Sequence, residues 1–307
     1  MTDPKVLPHS AIYFGGARDF WWNADQIDLV ARRLDLARHR RVLDVGCGYG
    51  HWARLWLPRL APGVEIVGID PEARALAEAE RRTAAFVSTR ALTAKTSYRE
   101  AAVEALPFED GAFDLVTAQT VLIHVADIGL AITEMTRVLA PGGLLLLAEP
   151  TNLAGSMTAL VTRADLDVER ALRALDLEMR IQRGKHALGE GFNSAGELLP
   201  RYLYSSRFSD VKQWLCDKAY GLFPPYDRPG AKEEIEELRD FAGNGWHGRT
   251  REEALRWYLA GEGTPEAFEA AWSEGLAADR DRLAAIDAGA YASAGGDVFH
   301  LFAATKR

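Results

Sequence analysis

Three glycines at alternate positions, Gly46, Gly48 and Gly50, follow the short apolar run Val42-Leu43-Asp44-Val45, and a lone acid, Asp70, comes twenty residues later. A strand that ends in glycines lets main chain approach a ligand without Cβ clashes. A carboxylate closing the next strand, Val64-Glu65-Ile66-Val67-Gly68-Ile69, can accept both hydroxyls of a ribose. Together these residues predict a site for a nucleoside-bearing ligand. Asp44 sets the expected charge of that ligand, because a carboxylate repels phosphates and favours a neighbouring cation. The pattern therefore points to a nucleoside carrying an amino acid and a sulfonium, S-adenosylmethionine. A dinucleotide keeps one foothold, since Gly48-Tyr49-Gly50-His51-Trp52-Ala53 fits G-x-G-x-x-A, although counting from Gly46 puts His51 in the sixth place. Two plainer readings stand beside these: Asp70 before Pro71 as a helix cap, and Asp44 as a partner of backbone amides in the turn.

The elements that must position these residues follow from the pattern of apolar side chains. Residues 51–60 read as a short helix bent near Pro58, and residues 73–82 as a helix opened by Pro71. Residues 113–117 read as a strand after the turn Glu109-Asp110-Gly111. Ile128, Ala131, Met135, Val138 and Leu139 step by three and four, giving a helix with Asp127 as its cap and Pro141-Gly142-Gly143 as its stop. Residues 144–148 are another strand, as are 208–215 and, last, 298–304. Helices are expected around Ile27, Val30 and Leu34, over 164–182 and 196–206, and three times between 230 and 289. Strands alternating with helices imply an α/β fold, a doubly wound, mostly parallel Rossmann-like sheet with an antiparallel last strand and a helical lid. The expected divisions are a cap segment and helix (1–40), a ligand-binding core (41–150), helical insertions (151–191 and 217–289), a returning helix and strand (192–216) and a closing strand (290–307).

Three stretches in fixed order carry a resemblance. Val42-Leu43-Asp44-Val45-Gly46-Cys47-Gly48-Tyr49-Gly50 resembles the first motif of the class I S-adenosylmethionine-dependent methyltransferases. Glu104-Ala105-Leu106-Pro107-Phe108-Glu109-Asp110-Gly111-Ala112-Phe113-Asp114 is similar to the run into their fourth strand, and Arg137-Val138-Leu139-Ala140-Pro141-Gly142-Gly143 to the approach to their fifth. The nearest likeness is to the small-molecule enzymes of ubiquinone and menaquinone biosynthesis. The resemblance implies that backbone of Gly46, Cys47 and Gly48 lines the methionine end, Asp44 places its ammonium, and Asp70 holds the ribose with Pro71 against adenine. It also implies that Ala102, Val103 and Glu104 meet the adenine amino group, with Ala102 standing where the family often has an acid. Gln119 falls near the methionine amino group. Tyr13, Arg18 and Trp22 fall in the segment that often folds over the cofactor, where an Arg would face a carboxylate and an aromatic ring a sulfonium.

Methyl transfer needs alignment and exclusion of water more than it needs a triad, and a proton acceptor only for a poor nucleophile. His124 is the candidate base, with a structural histidine as the plainer reading. Tyr202, Tyr204, Tyr220, Phe223, Tyr226, Trp246, His247 and Trp257 are candidate walls of a substrate pocket, with internal packing as the plainer reading for most. An alternative function for the same motifs is a non-methylating cyclisation, or a scaffold that binds the cofactor.

Composition narrows the classes. The 307 residues carry a net charge of −8, with 48% hydrophobic and 26% charged residues, as in a globular chain. An acidic balance disfavours a phosphate-backbone grip, and Ala118-Gln119-Thr120-Val121 lacks the Asp/Asn-Pro-Pro-aromatic run of base-amino methyltransferases. Only Cys47 and Cys216 occur, too few for a disulfide framework or a zinc site, and no metal is expected. Without a signal-like start or an apolar run near the roughly 18 residues of a membrane span, a cytoplasmic location is expected.

Overall fold

A computed structural model describes residues 16–160, 167–205, 207–295 and 298–307. The chain divides into a sheet unit (22–151, 194–217 and 299–307) and a helical unit (up to residue 21, 152–193 and 218–298).

The sheet unit holds seven strands: β1 (Arg41–Val45), β2 (Val64–Asp70), β3 (Ala94–Glu100), β4 (Phe113–Gln119), β5 (Leu139–Pro150), β6 (Phe208–Leu215) and β7 (Phe299–Lys306). Their order is β3-β2-β1-β4-β5-β7-β6. β1 pairs in parallel with β2 and β4, and β7 runs antiparallel to both β5 and β6. The expected Rossmann-like sheet with an antiparallel last strand is present. Central strands are covered on both faces, which is why Val42, Leu43 and Val45 are continuously apolar. Asp44 is the exception. β3 escapes an apolar-run reading because it is an edge strand whose Lys95, Arg99 and Glu100 are exposed.

Four helices belong to the core of this unit: α1 (Ala24–Arg33), α2 (His51–Trp56), α3 (Ala73–Thr89) and α4 (Ile128–Val138). Asp127 caps α4 as expected, accepting from the Leu130 amide at 2.9 Å. α4 ends at Val138, before Pro141, because Leu139 already pairs with Phe113 in the sheet. α2 is fixed by Trp52, whose indole donates to Thr117 Oγ1 at 2.7 Å while that hydroxyl donates to Leu146 O. The expected helix over 196–206 is shorter: a 3₁₀ turn at Gly196–Leu198 and α7 (Pro200–Leu203).

The helical unit comprises α5 (Asn152–Leu160), α6 (Val168–Ala187), α8 (Ala231–Gly243), α9 (Arg251–Ala260) and α10 (Pro265–Asp287). Residues 164–166 of the expected 164–182 helix lie outside the described residues. The unit has its own core of Leu177, Ile181, Trp257, Tyr258, Phe268 and Trp272. α6 and α9 cross without space between them: a Cβ on Gly184 would stand 1.6 Å from Trp257 O, and one on Gly261 2.0 Å from Arg180 O. Gly184→Ala should therefore separate the helices and destabilise this unit by ~1–3 kcal/mol or more, the usual range for overpacking. Thermal unfolding followed by circular dichroism should show the lowered transition, and an unchanged midpoint would contradict the close crossing.

Candidate functional site

The turn after β1 is tied to the end of β2. Gly46, Gly48 and Gly50 all have positive φ, at 61°, 50° and 72°. The Cys47 amide donates to Ile69 O at 2.8 Å, and the Gly48 amide to Asp70 Oδ2 at 3.0 Å. Asp70 Oδ1 accepts from the Glu72 amide at 2.9 Å. The cap of α3 is Glu72, which accepts from the Arg74 amide, so the capping role does not fall to Asp70. Two of the three glycines serve the protein itself. A Cβ on Gly46 would lie 2.4 Å from Val121 Cγ2, and one on Gly50 2.9 Å from Thr83 Oγ1.

Polar groups without partners gather at the same carboxyl edge of the sheet. Asp44 is 1% exposed, and neither of its oxygens makes a hydrogen bond of normal geometry. Burial pushes its carboxyl up to about 8; the Asp70 charge adds to the rise, and the Ala53 amide and Arg54 pull against it. Gln119, which ends β4, gives Oε1 to His51 Nε2 at 2.5 Å and leaves its buried Nε2 without a hydrogen bond. Beyond it Thr120 sits at φ 54°, a strained setting for a β-branched residue. Glu149 near the end of β5 is wholly buried. Its Oε1 accepts from the Val121 and Leu122 amides at 2.9 and 3.0 Å, and Oε2 has no hydrogen-bond partner. Burial pushes this carboxyl up to about 7, against the pull of those amides.

An acceptor at Asp44, a donor at Gln119 and a carboxylate anchored at Asp70 form one end of an α/β sheet, where ligands of such folds bind. Residues 43–147 match the methyltransferase domain family. The match spans about a third of the chain. The chain is similar to a demethylmenaquinone methyltransferase of Thermus thermophilus, 40% identical over 43% of this chain and 54% of that protein. It is also similar to a malonyl-(acyl-carrier protein) O-methyltransferase of Enterobacter lignolyticus, 32% identical over 48% and 50%. A ubiquinone biosynthesis O-methyltransferase of Alkalilimnicola ehrlichii is 32% identical over 47% of this chain and 62% of its own. The chain thus spans about half to three-fifths of the length of these curated relatives.

Within the matched segment, Asp44, Gly46, Cys47, Gly48, Asp70 and Gln119 lie at one edge of the sheet. Exposed Pro71 follows Asp70, and Ala102, Val103 and Glu104 follow β3, whose Glu100 pairs with Asp70. Val103 is buried with Ile69 and Val45, so its side chain serves the core. The Cys47 thiol is buried and pushed well above its usual range, as for a small filler. His124 lies half-buried on the 3₁₀ turn Leu122–His124.

The remaining expected site residues are placed as follows. Trp22 is 6% exposed and packs on Trp52 and Phe299 at 5.2 and 6.0 Å. Arg18 belongs to the helical unit, where its charge acts on Glu237. Tyr13 lies outside the described residues. Among the proposed pocket walls, Trp257 is buried with its indole donating to Glu190 at 2.8 Å. Tyr226 exchanges hydrogen bonds with the backbone of Tyr291. Tyr202 packs on Gly129 in the sheet unit, and Tyr204 is 65% exposed there. Phe223 is exposed, and Trp246 rests on Phe241. Tyr220 and His247 do line a cavity.

Sequence reading missed His51 and Glu149. The signal for Glu149 was present: a lone acid ends the apolar run 144–148, as Asp70 ends β2. Among the described residues no group of three or more His, Cys, Asp or Glu side chains is placed to hold a metal.

A raised carboxyl means that the folded protein keeps a proton the unfolded chain has lost. The Asp44 penalty therefore grows as pH climbs from about 4 to about 8. Asp44→Asn should gain thermal stability relative to the parent chain across that window, with the difference larger at pH 8 than at pH 5. A difference that does not change with pH would show that Asp44 is not held protonated by burial.

Proposed function

We propose that the chain is an S-adenosylmethionine-dependent methyltransferase acting on a small molecule, with the helical unit reading the methyl acceptor. The observation that carries this is the Asp44 carboxylate, buried without a hydrogen bond of normal geometry beside a glycine turn that Asp70 anchors. Such a carboxylate is costly until a cation arrives, and a methionine ammonium is one. The donor set fits the rest of the molecule. Gln119 Nε2 meets the methionine end, Asp70 accepts from the ribose hydroxyls, and residues 102–104 lie along the adenine. A pyrophosphate would instead be repelled by Asp44.

When bound, S-adenosylmethionine supplies an electrophilic methyl group. The chain's own residues then have to align it and keep water out. His51 fixes the Gln119 amide, and Glu149 holds the turn that leads to His124. His124 takes a proton where the acceptor is a poor nucleophile such as a phenol or a carbon acid. The quinone-biosynthesis names of two relatives favour a partly apolar metabolite as substrate, handled in the cytoplasm.

Calorimetric titration with S-adenosylhomocysteine tests the reading. The wild-type chain should bind, and Asp70→Asn and Asp44→Asn should each weaken binding by at least about tenfold, roughly 1.4 kcal/mol. NAD should give no heat. Wild-type heat with NAD and none with S-adenosylhomocysteine would overturn the proposal. A second measurement separates transfer from non-methylating use of the same site. With methyl-labelled cofactor and a panel of phenols, amines and carboxylates, label should appear in a product. Turnover of an acceptor with all label retained on the cofactor would count against methyl transfer.

A further inference from the structure

Within the helical unit a cavity of about 340 Å³ opens between α8, α10 and the paired segments around Leu222 and Ser293. That volume sits at the lower end of the roughly 300–1,000 Å³ range of small-molecule sites. Its apolar wall is Leu222, Leu238, Phe241 and Tyr291. Its polar wall carries three carboxylates, Glu234, Glu237 and Asp279, against one guanidinium, Arg282.

Most of that charge is already matched. Glu234 pairs with Arg228. Asp279, 4% exposed, accepts from His247 Nδ1 at 2.5 Å, which in the neutral ring leaves Nε2 an acceptor. Arg282 stands 3.9 Å from Asp279 and 5.9 Å over the Tyr291 ring, so its charge is matched too. Glu237 differs. Among the described residues it makes no hydrogen bond or ion pair. Burial and the charges of Glu234 and Asp240 hold its carboxyl above the usual range despite the nearby charge of Arg18.

The cavity thus offers acceptors in excess, one carboxylate, Glu237, that makes no ion pair among the described residues, and an apolar wall. A ligand that completes it must bring donors, a positive charge and a hydrocarbon body. We propose that this cavity binds a small molecule carrying a protonated amine on an apolar body, with Glu237 holding the ammonium and Leu222, Leu238 and Phe241 the body. This binding site does not rest on the methyltransferase reading.

Calorimetry on the full chain, with 2-phenylethylamine and its neutral counterpart 2-phenylethanol as probes, decides the matter. The wild-type chain should bind the amine at least about tenfold more tightly than the alcohol, the preference expected when a half-buried carboxylate gains a charge-assisted hydrogen bond. Glu237→Gln should bring the two affinities together. Glu236→Gln, which removes the same charge from an exposed neighbour on α8, should keep the preference. Absence of binding by either probe, equal affinities in the wild-type chain, or the same loss in both variants would overturn the assignment. Titrating S-adenosylhomocysteine into the same samples keeps the two readings apart. Amine preference without nucleoside binding would sink the methyltransferase reading alone, and the converse would sink this cavity assignment alone.

Discussion

A carboxylate locked into a buried central strand is the constraint on which the sheet unit turns. Asp44 is flanked by Val42, Leu43 and Val45, all sealed from water, and it gains no hydrogen bond of normal geometry in return. Burying such a group disfavours its charged form unless something positive stands beside it. The surrounding chemistry follows from that. The turn beyond β1 is pulled toward β2 by the Gly48–Asp70 bond, Val121 fills the space a side chain at Gly46 would need, and Glu149 secures the Val121 amide. Three strand ends are thereby coupled around one unsatisfied acceptor.

The same coupling shows why strain is tolerated at Thr120. A β-branched residue at positive φ is unfavourable by itself, yet its amide donates to Ala148 O and the two residues after it are held by Glu149. Neighbouring hydrogen bonds over-determine the turn, so Gln119 and His124 keep fixed positions on either side of it.

Much of this was legible in the residues. The glycine turn, Asp70, Asp127 as a cap and the order of the buried strands all leave local signatures, because glycine φ, capping and continuous apolar runs act over a few positions. β3 was not legible, since an edge strand rich in Lys, Arg and Glu lacks the apolar run that marks its neighbours. The pocket walls were not legible either. Trp257 and Tyr226 look like ligand-facing aromatics in sequence, and their partners, Glu190 and the Tyr291 backbone, lie 65 or more positions away. Long-range pairing decides whether an aromatic faces a ligand or a core, and no local pattern records it. The His51–Gln119 contact, 68 positions apart along the chain, hid the role of His51 in the same way.

The division of the chain also bears on the order in which it can fold. α6 and α9 meet backbone to backbone at Gly184 and Gly261, and β6 and its approach lie between them in sequence. Closing a loop of that length has an entropic cost before any contact rewards it. Strand pairing from β1 to β5 is complete within residues 41–150, whereas the helical unit must wait for its second long segment to be synthesised. A nascent chain halted after β6 would therefore carry β1 to β5 paired, β6 still without the β7 strand that joins it to the sheet, and α6 without α9.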